Sequence, residues 1–275
     1  MASRTSIKNE PDGGPDGDAV AFPHPAAEIS NANGSTPVTL LCDHASNAIP
    51  QPLGDLGLSA STLQTHIAYD PGAAALTRDI ADRLDAAYVL GGYSRLVIDV
   101  NRHPDDPESI VRENDGIRVP GNEILADTDR NARVRAIYDP YHTTVDRLLA
   151  RRLETQPTQL VVGIHSFTPV LAGRARPWEL GLIYNQDRRL ARWLASQMVD
   201  QSANDRITLG LNEPYSPDDR VYHTLERHGE RRGLPCLMIE VPNDSLTAAS
   251  PRAVWAARMA NALTASLGAL APEHS

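Results

Sequence analysis

The stretch Thr39-Leu40-Leu41-Cys42-Asp43-His44-Ala45-Ser46-Asn47 decides how the chain folds, because an apolar run changes within it abruptly into polar side chains. The apolar half is typical of the end of a buried strand, and the polar half can coordinate a metal, move a proton or donate hydrogen bonds. In open α/β sheets, ligands bind at the carboxyl ends of the strands. The stretch therefore predicts a strand whose end carries part of a functional site.

Two later apolar runs end in the same way. Leu160-Val161-Val162-Gly163-Ile164 is followed by His165, and Cys236-Leu237-Met238-Ile239 is followed by Glu240. Since strand ends of this kind can be neighbours in a sheet, we expect one site to draw on several strands.

Apolar strands alternate with amphipathic helices along the chain, which predicts an α/β fold of three layers. We expect a mostly parallel or mixed central sheet with helices on both faces. The other expected strands are at 88–90, 96–100, 179–184 and 206–211. Helices are expected at 71–84 with Asp70 as N-cap, at 129–153 with a kink near Asp139 caused by Pro140, at 187–199, at 222–231, and at 251–267 with Ser250 as N-cap.

The domain organisation follows from where composition changes. Residues 1–35 are rich in Gly, Pro, Asp and Asn and lack the apolar centre of a secretory signal, so we expect a flexible tail there. Residues 36–275 are expected to form a single catalytic α/β domain. Within it, the acidic segment 105–127 has the composition of a long loop or lid.

Composition narrows the function classes. The 275 residues carry a net charge of −9 without a sustained basic cluster, which argues against a nucleic-acid partner. No apolar run approaches the roughly 20 residues that span a bilayer, so no membrane partner is expected. Cys42 and Cys236 both lie in strand-like runs, which indicates free thiols and a cytoplasmic location. The oligomeric state is left open.

The strand-end residues offer two interpretations. His44 and His165, with Asn47 three residues after His44, have a spacing used for metal sites, but the two histidines could equally be hydrogen-bonded residues of a polar cleft. Glu240 is either a desolvated general base or a carboxylate paired with an arginine such as Arg102. Arg102 and Asn101 form an alternative carboxylate-binding pair.

The remaining candidates have simpler explanations beside the functional ones. Asp70 is either a helix cap or a carboxylate at the mouth of the site. Ser46 and Ser166 are expected to be pocket-lining donors, since neither lies in a nucleophile-elbow motif. Arg174 and Arg176 lie on a loop after His165, where they either contact an anionic substrate or are solvated.

Five ordered blocks of the sequence resemble the N-formylglutamate amidohydrolase family, over about residues 36 to 250. The blocks are Cys-Asp-His-Ala-Ser-Asn (42–47), His-Ile-Ala-Tyr-Asp-Pro-Gly-Ala (66–73), Ser-Arg-Leu-Val-Ile-Asp-Val-Asn-Arg (94–102), Ile-His-Ser-Phe-Thr-Pro (164–169) and Met-Ile-Glu-Val-Pro-Asn-Asp (238–244). That family is similar in fold to the zinc carboxypeptidases and aspartoacylase.

The resemblance implies a divalent metal, with zinc expected, held by His44 and His165. It also implies that Asn101 and Arg102 bind a substrate carboxylate and that Glu240 activates water. Asn47 stands where the carboxypeptidase pattern has a glutamate, so the set lacks an anionic ligand. Either Asp43 or Asp70 then completes the site, or the metal is bound loosely.

The function that the resemblance implies is hydrolysis of a small anionic N-acyl amino acid, with N-formyl-L-glutamate cleaved to formate and glutamate. Two alternatives stay open. One is an amidohydrolase for another N-acyl amino acid or a peptide-like amide, and the other is a metal-poor relative that only binds anions.

Overall fold

A computed structural model of the protein describes residues 24–200 and 207–269. The strands of these residues are β1 (Ala27–Ser30), β2 (Val38–Cys42), β3 (Ala87–Gly91), β4 (Glu113–Asn114), β5 (Ile117–Arg118), β6 (Leu160–Phe167), β7 (Val170–Leu171), β8 (Arg174–Ala175), β9 (Leu180–Ile183), β10 (Leu209–Leu211) and β11 (Cys236–Pro242). The α-helices are α1 (Ala73–Leu84), α2 (Asp127–Arg133), α3 (Asp139–Thr155), α4 (Arg189–Asp200), α5 (His223–His228) and α6 (Ala249–Ala269).

Seven strands form one mixed sheet in the order β1-β3-β2-β6-β11-β9-β10. The central strands β3, β2, β6 and β11 are parallel, whereas β1 pairs antiparallel with β3 and β9 pairs antiparallel with β11. The remaining strands form two small hairpins, β4–β5 and β7–β8. The predicted α/β fold with a mixed central sheet is confirmed.

Helices cover both faces of the sheet because the side chains of each central strand alternate between two cores. In β2, Leu40 packs in the core shared with α1, α4 and α6, whereas Leu41 packs in the core shared with α3 and α5. Both side chains are fully buried. The strand is therefore apolar on both faces, as expected for the centre of a three-layer fold.

The predicted helix at 129–153 and its break are confirmed. It is divided into α2, a π-helical turn at Val134–Tyr138, and α3, which has Pro140 in its first turn. Proline is tolerated there because its missing N–H falls where the regular hydrogen-bond pattern is already interrupted.

Several expectations about local structure are wrong. Residues 96–100 are buried but form turns, with Val97 N bonded to the Ser94 carbonyl, instead of a strand. The helix α1 begins at Ala73 after Gly72, whose φ of 84° suits only glycine, so Asp70 is not its cap. The helix α6 begins at Ala249, so Ser250 lies inside its first turn.

The N-terminal segment contributes to the sheet. Residues 27–30, expected in a flexible tail, form the edge strand β1, and residues 1–23 lie outside the described part of the chain. The expected loop at 105–127 contains the β4–β5 hairpin. Among the described helices, none is long and apolar enough to cross a membrane.

Candidate metal centre and active site

A pocket of about 310 Å³ lies where β2, β6 and β11 approach their carboxyl ends. Its wall includes His44 from the end of β2, His165 from β6 and Glu240 from β11. The three residues are far apart in the sequence, but they come together because β2, β6 and β11 are adjacent parallel strands of the sheet. The expected convergence of strand-end chemistry is therefore seen in the structure.

His44, Asp70 and His165 form a buried cluster in this pocket. One ligand atom of each lies within 4.8 Å of the others. Asp70 Oδ2 is 3.5 Å from His44 Nδ1 and 2.9 Å from His165 Nδ1. Two imidazoles and one carboxylate are a common ligand set for catalytic zinc, which keeps a further position open for water or substrate.

His44 is oriented by a carboxylate on the far side of its ring. Its Nε2 donates to Asp99 Oδ1 at 2.7 Å, and the same oxygen accepts a hydrogen bond from the Asn101 backbone N–H. This fixes the proton on Nε2 and leaves Nδ1 with a lone pair.

His44 Nδ1 is buried and has no hydrogen-bond partner within residues 24–200 and 207–269. Burial, the largest influence, lowers the pKa of His44, so the ring is neutral, as metal ligation requires. A neutral, unpartnered ring nitrogen facing a carboxylate fits a bound cation.

His165 repeats the arrangement with a different carboxylate. Its Nε2 lies 3.1 Å from Asp43 Oδ2, and its Nδ1 faces Asp70. Asp43 is held in turn by the Tyr141 hydroxyl and by Thr224 Oγ1. Burial alone would raise the pKa of Asp43, but the interactions with His165 and His44 and the hydrogen bond from Tyr141 together outweigh burial and lower that pKa to about 2. Asp43 is therefore an ionised partner that orients His165.

Asp70 is positioned by its own partners. Arg95 contacts Asp70 Oδ1 through a guanidinium nitrogen, and the Ser166 backbone N–H lies 3.4 Å from Oδ2. Arg95 was not among the sequence candidates. The 94–102 block contains both Arg95 and Arg102, but only Arg102 follows an apparent strand, whereas Arg95 precedes it.

Glu240 is a buried carboxylate of the pocket. It is 4% exposed, and its Oε2 has no hydrogen-bond partner in the described part of the chain. Glu240 is paired in register with His165 across the parallel β6–β11 ladder. Burial raises its pKa, and His165 and Arg95 only partly oppose that rise. A desolvated carboxylate of this kind is a good proton acceptor.

Asn101 and Arg102 lie on the pocket wall with their polar groups engaged. The Asn101 amide donates to the Val221 carbonyl at 2.6 Å and accepts from the Thr224 backbone N–H. Arg102 Nη1 lies 2.9 Å from Glu108 Oε2. A carboxylate of a substrate must therefore exchange with Glu108 to reach Arg102.

The other candidates from the sequence lie apart from the His44–Asp70–His165 cluster or have local hydrogen-bond partners. Asn47 donates its amide to the Leu63 carbonyl at 2.9 Å, so Asp70 instead of Asn47 accompanies the two histidines. Ser46 Oγ accepts from the Ala48 backbone N–H. Ser166 lines the pocket, and its hydroxyl donates to the Pro71 carbonyl. Arg174 is exposed on β8.

The sequence and the fold are similar to those of known proteins. The family model for N-formylglutamate amidohydrolase matches residues 36–247. The fold is similar to the crystal structure of a gene product from Agrobacterium tumefaciens, with a TM-score of 0.85 and 38% identity over 89% of this chain and 96% of that chain. A second similar structure is an N-formylglutamate amidohydrolase from Ralstonia eutropha JMP134, with a TM-score of 0.58 and 14% identity over 86% of this chain and 95% of that chain. At that identity the likeness shows the fold alone. No curated protein matches the chain.

Proposed function

The chain belongs to the N-formylglutamate amidohydrolase family, and from that premise we propose that it is a metal-dependent amidohydrolase acting on N-formyl-L-glutamate. The products would be formate and glutamate. The observation that carries the metal dependence is His44 Nδ1, a buried nitrogen that faces Asp70 and His165 and has no hydrogen-bond partner among the described residues.

His44, Asp70 and His165 would hold the metal, and zinc suits two imidazoles and a carboxylate. When bound, zinc supplies Lewis acidity toward an amide carbonyl and toward water. Asp99 and Asp43 would keep the two rings turned with Nδ1 toward the ion. Asp70 would supply the anionic ligand that Asn47, a neutral amide, could not provide.

Glu240 would act as the general base and then as the general acid. Its carboxylate takes a proton from water as the water oxygen bonds to the formyl carbon. The C–N bond then breaks, and the same proton passes from Glu240 to the leaving amine nitrogen. Glu240 is only 4% exposed. Because solvent is largely excluded from its carboxylate, the carboxylate is a stronger base when water attacks the substrate.

Arg102 would bind the side-chain carboxylate of the substrate by replacing its contact with Glu108. Guanidinium groups suit this role because they bind carboxylates in a bidentate way.

Formate release from N-formyl-L-glutamate, before and after chelation and with zinc restored, tests this function. Chelation should abolish release and zinc should restore it. His165→Ala should lose metal and activity together, whereas His103→Ala, an exposed histidine outside the cluster, should keep both. Glu240→Gln should bind metal normally but lose roughly 10²- to 10⁴-fold in kcat. Absence of formate release from the zinc-loaded wild-type protein would refute the substrate assignment.

A second candidate is an amidohydrolase for an N-acyl amino acid that lacks the second negative charge. The same pocket is lined by Glu108, Glu113 and Asp115, whose charge opposes a dianion. A panel of N-formyl and N-acetyl amino acids with acidic, neutral and basic side chains would separate the two candidates by kcat/KM.

A further inference from the structure

Two arginines line the pocket, and both guanidinium groups are already paired with acids. Arg95 contacts Asp70, and Arg102 lies against Glu108. A carboxylate of a substrate must displace an internal carboxylate to reach either of them. An arginine without such a partner is therefore the better carboxylate receptor.

Arg176 is such an arginine. Its Nη1 donates to the Tyr215 hydroxyl at 2.9 Å, and its guanidinium carbon lies 4.7 Å from the centre of the Tyr215 ring. No acidic side chain of the described ranges pairs with it, so no internal carboxylate there neutralises its charge, and a guanidinium group held on an aromatic ring can still bind a carboxylate. Arg176 is half-buried, so its orientation is restricted.

The backbone fixes the position of Arg176 relative to the His44–Asp70–His165 cluster. The strand β6, which carries His165, leads directly into the β7–β8 hairpin, and the Arg176 N–H closes that hairpin on the Pro169 carbonyl at 2.8 Å. Tyr215, the partner of Arg176, lines the same pocket as His165 and Glu240. The charge of Arg176 also reaches into that pocket, where it opposes the larger effect of burial on the pKa of Glu240.

We propose that Arg176, held by Tyr215, binds the α-carboxylate of the N-acyl amino acid and sets the preference for a free carboxylate beside the scissile amide. The inference rests on the proposed amidohydrolase function and extends it. Every N-acyl amino acid carries an α-carboxylate, so the role is the same whichever side chain the substrate has. Arg102 is then left for the second carboxylate of a dianionic substrate.

The test compares N-formyl-L-glutamate with its α-carboxamide and its γ-carboxamide in the zinc-loaded protein. For Arg176→Gln, KM for N-formyl-L-glutamate should rise about 10- to 100-fold with kcat changed much less, since a charge-assisted contact made in both ground and transition states is lost. KM for the α-carboxamide should stay the same, so the discrimination between acid and α-amide disappears. Tyr215→Phe should raise KM only several-fold, because the ring still supports the guanidinium group.

Arg118→Gln, which removes an exposed charge on β5, is the matched control and should leave all three KM values unchanged. Undiminished discrimination against the α-carboxamide in Arg176→Gln would overturn the proposal. Loss of discrimination only against the γ-carboxamide, or an effect of Arg174→Gln in place of Arg176→Gln, would overturn it as well.

A binding measurement separates this inference from the proposed function. Calorimetric titration of N-formyl-L-glutamate into Glu240→Gln and into Glu240→Gln/Arg176→Gln measures affinity without requiring turnover. A wild-type protein that hydrolyses none of the substrates would refute the proposed function, while an affinity lowered about 10-fold or more by Arg176→Gln would still support the carboxylate receptor. Equal affinities of the two variants would refute the receptor alone.

Discussion

At the scale of single residues, the site depends on the carboxylates behind the two histidines. Asp99 accepts a hydrogen bond from His44 Nε2, and Asp43 does the same for His165. Burial raises the pKa of Asp99, but the interactions with His44, including its hydrogen bond, and the charges of Arg95 and Arg102 together outweigh burial and hold the pKa well below its usual value. An ionised acceptor permits one tautomer only, which leaves Nδ1 of each ring toward Asp70.

We expect Asp99→Asn to weaken zinc binding about 10- to 100-fold. The amide can turn its NH₂ toward Nε2, which stabilises the tautomer that carries the proton on Nδ1, the atom needed for the metal. Competition with a chromophoric chelator measures the affinity. The control is Asp79→Asn, whose carboxylate pairs with Arg252 between α1 and α6. Equal zinc affinity in wild type and Asp99→Asn would show that the carboxylate does not orient the ring.

Single residues differ in how far the sequence predicts them. His44, His165 and Glu240 each follow an apolar run, which is a local signal, and the structure places them in one pocket. Asp70 and Arg95 carry no such signal, because their contact spans 25 positions and depends on how two loops pack. The pattern Asp-Pro-Gly also mimics a helix start, although Gly72 takes the positive φ and frees the Asp70 carboxylate.

At the scale of elements, the position of Glu240 depends on the absence of a side chain in the neighbouring strand. Gly181 of β9 pairs with Glu240 across the antiparallel β9–β11 ladder. A Cβ at residue 181 would overlap the Glu213 carbonyl oxygen and lie 3.0 Å from Glu240 Cβ. The backbone of β9 can approach Glu240 only because residue 181 is glycine.

Gly181→Ala should therefore lower both stability and kcat. Overpacking against a backbone atom costs about 1–3 kcal/mol, and relief of the clash moves Glu240. Thermal unfolding and formate release measure the two effects. Gly268→Ala in α6, where an added Cβ meets nothing within 4 Å, should stabilise the protein by up to about 1 kcal/mol at unchanged kcat. Unchanged kcat in Gly181→Ala would contradict the role given to the glycine.

Elements with a strong period were predictable and those decided by tertiary contacts were not. The predictions for α3, β2 and β11 match the structure closely, because the spacing of apolar residues in the sequence indicates each of these elements directly. Residues 96–100 have the same apolar character, yet they pass under α3 as turns. A short apolar run specifies burial but does not distinguish a strand from a buried turn.

At the scale of the whole molecule, a histidine cluster lies buried in the layer between the sheet and the outer helices. His142 Nε2 donates to the Val100 carbonyl, so its Nδ1 accepts from His228 Nε2 at 2.8 Å. Burial, followed by the charge of His228, lowers the pKa of His142 to about 2. Burial lowers the pKa of His228 to about 4 despite Asp146 Oδ1 at 3.0 Å from its Nδ1.

The free energy of unfolding should decrease as pH falls from about 6.5 toward 4. In this range the histidines bind protons in the unfolded chain but stay neutral in the folded protein. Each such proton contributes up to about 1.4 kcal/mol per pH unit. His228→Gln keeps a neutral donor toward His142 and should flatten the slope of unfolding free energy between pH 6.5 and 4.5, a window above the range in which Asp43 titrates. The charged groups that influence His228, namely Asp146, Arg227, Asp43 and Arg232, are unchanged in that variant. Identical slopes in denaturant titrations would contradict the buried-neutral assignment.

The edge strand β1 has a consequence for how the protein can be shortened. The family match begins at residue 36, which makes a chain starting there look sufficient, but β1 at residues 27–30 covers the free side of β3. Without β1, β3 would present a row of unpaired N–H and carbonyl groups flanked by apolar side chains. Exposed edges of this kind recruit strands from other molecules. A chain trimmed to the family boundary should therefore be prone to self-association and aggregation, while one that begins before residue 24 should not.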